Sequence, residues 1–134
     1  MGYNILVTGE ITIDPPIPWP QIKDSLFLPD RAWQAGRDVT FRISTQERET
    51  NEGTLVIRHA VALIPSSEGQ FKAYHLLEHI QQVIDTHPGH DFTGRLNCAG
   101  EEPGDLFRIE VHGRRATRVE PRIVWPDSSE GVGR

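Results

Sequence analysis

A chain of 134 residues, 37% hydrophobic and 25% charged, has the size and composition of one globular domain with a single core, and differs from disordered or fibrous sequences. A net charge of −5 excludes the dense cationic field of a default nucleic-acid binder, and the lone cysteine, Cys98, excludes an internal disulfide. No apolar run is long enough to span a bilayer, and the nearest, Val56 to Pro65, is broken by Arg58 and His59. The opening residues lack a basic n-region and an apolar h-region, and Leu6 stands where a myristoylation motif needs Ser or Thr, so a cytoplasmic protein is expected.

Residues 3–13 alternate with period two. Tyr3, Ile5, Val7, Ile11 and Ile13 share one face, which predicts a half-buried strand. Gly9 interrupts that face and marks a bulge or a close approach by another element. The prolines from Pro15 to Pro20 are expected to end the ladder in a stiff extended segment carrying Trp19, followed by one helical turn within Gln21–Leu26 and a loop carrying Trp33. Val39–Ile43 predicts a short strand, and the polar run Ser44–Gly53 a hairpin connection or a mobile loop. Thr54–Ile64 predicts a second strong strand, with Leu55, Ile57, His59, Val61 and Leu63 on one face and Pro65 as its stop.

The principal helix is predicted over about 70–87. Ser67 to Gln70 fits a capping box, and Ala73, Leu76, Leu77, Ile80, Val83 and Ile84 form its apolar stripe. The last third predicts three strands: Phe92, Leu96 and Cys98 face inward, then Phe107, Ile109 and Val111, then Thr117, Val119, Ile123 and Trp125. Turns fall at Glu101–Asp105 and His112–Arg115. The expected architecture is an α+β domain over 1–126, a mainly antiparallel sheet with the 70–87 helix packed on one face, and a flexible tail at 127–134.

His75-Leu76-Leu77-Glu78-His79 matches the inverted zincin pattern, in which two histidines one turn apart hold zinc and the Glu acts as base. At about 100° per residue, however, His75 and His79 are expected on the solvated face beside Lys72, Gln82 and Thr86, whereas a catalytic zinc needs a cleft and a third ligand. A metal-dependent hydrolase using His75, Glu78 and His79 is therefore the second hypothesis. His59, on an apolar strand face, reads as a paired core histidine or as a small-ligand or nucleotide pocket residue, which is a third. The acids Glu101, Glu102 and Asp105 lack the spacing of a calcium loop, and Cys98 reads as a buried, inert thiol. The sequence nominates no catalytic residue and no cofactor. Candidate contact residues are Trp19 and His59, with Arg95, Arg108, Arg118 and Arg122 forming an outward charged ladder with Glu110 and Glu120. Nucleic acid is not expected as the ligand, since aromatics make up only 7% of the chain.

Gly2-Tyr3 followed by Gly9-Glu10-Ile11-Thr12-Ile13-Asp14-Pro15-Pro16 and Trp19 resembles the opening of small uncharacterised proteins of actinobacteria and their phages. Phe92-x-Gly94, Gly100-Glu101-Glu102-x-Gly104-Asp105-x-x-Arg108-Ile109 and Ile123-Val124-Trp125-Pro126 resemble their C-terminal half. That family has no assigned activity, so the resemblance transfers no catalytic residue. It implies a high-GC bacterial or phage origin, in line with the twelve arginines against Lys23 and Lys72, and an accessory role through protein contacts. The leading hypothesis is a non-enzymatic binding or interaction protein, with a protein partner or self-association and no membrane contact.

Overall fold

Period-two alternation organises the whole molecule, a computed structural model that describes residues 3–126. Strands β1 (Ile5–Pro18), β2 (Val39–Thr50), β3 (Gly53–Pro65), β4 (Asp91–Gly100), β5 (Leu106–His112) and β6 (Arg115–Val119) form one antiparallel sheet in the order β2-β3-β1-β4-β5-β6. Helices α1 (Trp19–Ile22) and α2 (Leu76–Thr86) are short, so the fold is sheet-dominated and α+β only in the broad sense. The tail expected at 127–134 lies outside the described residues. None of the described helices is long and apolar enough to cross a membrane.

The core occupies one face of the sheet. Ile5, Val7, Ile11, Ile13 and Ile17 of β1 join Phe41, Leu63, Phe92, Leu96, Phe107, Ile109 and Val111 in a single buried cluster. Leu76, Ile80, Val83 and Ile84 of α2 close it, with Ile22, Phe27 and Leu28 from the segment after β1. Each large side chain so buried contributes about 1.5–3 kcal/mol.

Gly9 makes the close approach that its place in the apolar row predicts. It pairs with Leu96, and Gly94 pairs with Ile11, so the two glycines face each other diagonally across β1 and β4. Both have positive φ, +108° and +130°. A Cβ at Gly9 would lie 2.7 Å from the Arg95 carbonyl oxygen, and one at Gly94 would lie 2.7 Å from that of Glu10. Only residues without a side chain let the two backbones meet this way.

Several expectations are corrected. The helix begins at Leu76, not near 70, because Phe71 is bridged to Ile5 by hydrogen bonds in both directions (2.8 and 3.0 Å). The capping box does not form: the Ser67 hydroxyl accepts from the Gly69 amide (3.3 Å), while the His75 amide at the helix start donates to the Asp38 carboxylate (2.8 Å). β1 continues through the prolines, because its irregular stretch between Thr12 and Ile17 absorbs the missing donors before Ile17 and Pro18 pair with Ala60 and His59. The helical turn expected within 21–26 forms instead at Trp19–Ile22, with proline in its first turn.

In β3 a bulge at Val61, with Arg42 opposite Ala62 and Ile43 opposite Ala60, reverses the parity of the strand. Leu63 and Ala60 therefore reach the core, while Leu55, Ile57 and His59 face the opposite side. In β6 the turn places Ala116 opposite Val111, so Ala116 is the buried residue; Val119, Ile123 and Trp125, expected inward, are 37%, 50% and 54% exposed.

The last turn is held by a side chain that no sequence pattern announced. Arg114, at φ +67°, sends its guanidinium to the carbonyls of His90 (2.6 Å) and Ile84, and so caps the C-terminus of α2. Gln81 of α2 answers by accepting from the Ala116 amide (2.8 Å) and donating to the Arg114 carbonyl (3.1 Å). Cationic capping of terminal helix carbonyls satisfies groups that have no partner within the helix.

Candidate functional site

The polar run Ser44–Gly53, expected as a hairpin connection or a mobile loop, does join β2 to β3 as a hairpin, but most of it is strand and only its tip is turn. β2 and β3 pair continuously from Val39–Pro65 out to Thr50–Gly53. β1 covers β3 only at His59–Leu63. On the other side, the Phe41 amide (2.9 Å) and the Thr40 hydroxyl (2.8 Å) both donate to the Phe27 carbonyl, which covers the start of the β2 edge. Beyond Ser44 and His59, no third strand among the described residues flanks the pair, so residues 44–58 project as a two-stranded ribbon. Its tip is tied by Thr50 Oγ1 donating to the Gly53 carbonyl (2.7 Å) and Thr54 Oγ1 donating to Glu49 (3.1 Å).

The ribbon carries apolar side chains into solvent. Leu55 and Val56 are each 47% exposed, and Ile57 is half-buried. Leu55 lies opposite Arg48, Ile57 opposite Gln46 and His59 opposite Ser44, so these three alternate residues make one stripe on the face away from the core. The other face shows Val56 beside Glu47. At the root, the Arg58 guanidinium sits 5.4 Å from the centre of the Trp19 ring, and Trp19 packs partly on the core. Two of the sequence-nominated residues, Trp19 and His59, thus both lie at the base of the ribbon, on opposite faces: Trp19 under Arg58 on the core side, and His59 outward, opposite Pro18 in the ladder.

The arginine ladder divides. Arg95 pairs opposite Glu110, and Arg108 donates to Asn97 (2.9 Å) and lies 3.9 Å from Glu110 on the open face. A hydrogen bond from His112 (2.9 Å) holds the Glu110 carboxyl below its ordinary pKa. Arg118, expected outward, lies opposite Ile109 on the core side, where its guanidinium covers the Phe107 ring at 3.8 Å and its Nε donates to Glu120 (2.8 Å). Arg122 is exposed beyond β6. This is a face of locally satisfied charges.

The H-x-x-E-H stretch is split by burial. His75 and Glu78 are exposed, but His79, expected on the solvated face, is buried against the Phe27 ring at 6.0 Å. The actual stripe is Leu76, His79, Ile80, Val83 and Ile84, rotated away from Leu77, which is only half-buried. His79 Nδ1 accepts from the Asp38 amide (3.0 Å), which leaves its proton on Nε2. Burial lowers the His79 pKa and raises that of Asp38, whose carboxylate lies 3.8 Å from the imidazole. The two histidine rings are 5.8 Å apart, and among the described residues no group of three His, Cys, Asp or Glu side chains is placed to hold a metal ion. The cluster's visible work is to start α2 and fix Asp38.

The acidic turn likewise has a structural task. The Tyr3 hydroxyl donates to Asp105 (2.5 Å) and accepts from the Glu102 amide (3.1 Å), while Glu101 accepts from the Asn4 amide (2.9 Å). The bond to Asp105 raises the Tyr3 pKa. Cys98 is buried, and burial pushes its thiol up to about 11. The ribbon itself escaped the sequence reading. Its only signal was the length of continuous alternation in Thr54–Ile64 beside a polar run of matching length.

A model of the DUF6205 family, a family of unknown function, matches residues 1–132. No curated protein and no solved structure matches the chain.

Proposed function

The chain belongs to the DUF6205 family, whose function is unknown, and we propose that it is a non-enzymatic binding protein that engages a protein partner through the ribbon at residues 44–58. One observation carries this reading: beyond Ser44 and His59 no described strand pairs with either edge of the ribbon, which holds Leu55 and Val56 exposed and Ile57 half-buried. A two-stranded hairpin is marginally stable in water, and open edges with apolar side chains are a template for another chain. Association that pairs a strand with an edge and covers the Leu55–Ile57 stripe would satisfy both. The charges on β2 argue against two copies pairing directly through that edge. An antiparallel self-pairing centred on Glu47 or on Arg48 sets Glu47 against Glu47 or against Glu49, and like charges opposed across strands are destabilising.

The test places a photo-crosslinking residue at position 55 and, as a control, at Gln82 on the exposed face of α2, in cells of the natural host. Defined protein adducts from position 55 alone, lost when Ile57→Ser and Val56→Ser are added, are expected. Identical adduct patterns from both positions, or none from position 55, would overturn the proposal. An adduct of twice the monomer mass would make the partner a second copy, joined through the stripe and not through the β2 edge.

A further inference from the structure

An open cavity lies between the loop after α1 and the segment leading into α2, and none of the ribbon residues lines it. It encloses about 520 Å³ and is lined by Asn4, Trp33, Arg37, Asp38, Gln70, Phe71 and Lys72, together with Gly36. That volume falls within the range of pockets that hold small ligands. Both walls are built before any ligand arrives. The loop is wound on itself by backbone hydrogen bonds from Arg31 and Ala32 to Leu28, from Ala35 to Arg31 and from Arg37 to Ala32 (2.8–2.9 Å). The opposite wall is pinned by the paired bonds between Phe71 and Ile5. Asp38, in the lining, is buried, with its amide and carboxylate committed to His79 and His75.

The lining has a definite chemistry. Trp33 is 58% exposed, yet its ring is propped edge-on against Phe71 at 6.1 Å, so a large aromatic surface is held rigid at the rim. Lys72 and Arg37 supply two cations against the one carboxyl of Asp38, and Asn4 and Gln70 supply amides able to donate and accept. Arg37 Nε is itself sealed from solvent, and the guanidinium lies 5.5 Å from the centre of the Phe27 ring, so packing holds this cation in place at the wall.

We propose that this cavity binds a mononucleotide-sized aromatic anion, its planar ring against Trp33 and its anionic group between Lys72 and Arg37. Stacking on an exposed indole tolerates many ring systems, while two cations select against neutral or positively charged ligands. The site is independent of the ribbon and of its partner.

The experiment titrates the four nucleoside monophosphates, adenosine and inorganic phosphate into the full chain, by calorimetry and by tryptophan fluorescence. Saturable binding of at least one nucleotide is expected, with adenosine and phosphate each weaker by about tenfold or more. Lys72→Met and Trp33→Leu, both at exposed positions, should each weaken that nucleotide by about tenfold while the melting temperature holds. Ile57→Ser in the ribbon should change nothing. No saturation by any nucleotide up to millimolar concentration would overturn the inference, and so would binding that both cavity substitutions leave intact.

Discussion

The body of the sheet and its projecting ribbon are built from the same two strands, yet opposite forces hold them. Where β2 and β3 lie beside β1, Phe41, Ala60 and Leu63 are completely buried and the ladder is one layer of a packed core. Beyond Ser44 and His59 the same ladder continues without a core beneath it, held by cross-strand hydrogen bonds and by Arg58 over Trp19. Hydrogen bonding gives strand geometry in both places, but net stabilisation of a sheet comes from side-chain burial, and the ribbon has little of it. A region that stays ordered in shape while contributing little to folding is free to be used for contact.

That contrast can be broken first at the body. Ile80→Asp places a carboxylate in a fully buried site of α2 and should abolish the cooperative melting transition, because an unpaired buried charge costs more than a marginal domain can spare. Gly94→Ala comes next. The new methyl group would meet the Glu10 carbonyl on a backbone at φ +130°, and a loss of about 1–3 kcal/mol is expected in urea unfolding. Arg114→Ala removes the cap from α2 and leaves the Ile84 and His90 carbonyls unpartnered, for a loss of about 1–2 kcal/mol by the same measurement.

The buried imidazole sharpens the comparison through pH. Burial depresses the His79 pKa below its unfolded value, so its contribution is fully present above that unfolded value, about 6.5, and is lost as pH falls through the folded pKa. Protonation of Nδ1 would also break its bond from the Asp38 amide. Stability should therefore decline as pH falls below about 6.5, and His79→Gln should flatten that slope. Asp38, shifted upward by burial, works in the opposite sense, favouring the fold only as pH drops through its own raised pKa. The smallest effect belongs to the ribbon: Leu55→Ser should move the melting curve by no more than about 0.5 kcal/mol, and ribbon amides should exchange with solvent far faster than those of β1 and β4.

Some of this was legible in residue order. The inward rows of β1, β4 and β5, the turns at 101–105 and 112–115, the close approach at Gly9 and the buried, inert Cys98 all follow from alternation, turn chemistry and apolar content, which act over a few residues. The apolar stripe of α2 was legible too, but its rotation onto His79 was not, because the Asp38 amide that makes an imidazole tolerable there is 41 residues away. The capping box was a local preference overruled by the Phe71–Ile5 bridge.

Periodicity by itself determined that this chain makes a mainly antiparallel sheet with one principal amphipathic helix, since hydrophobic spacing dictates which faces must be hidden from water. Where each face ends was decided only by the assembled sheet. One bulged residue, Val61, turned Leu55, Ile57 and His59 from an expected core row into an outward stripe, and because β1 pairs with β3 no further than His59, no described strand flanks Leu55 and Ile57 on that side. Alternation reports that a side is apolar; only strand order and register report whether anything lies against it.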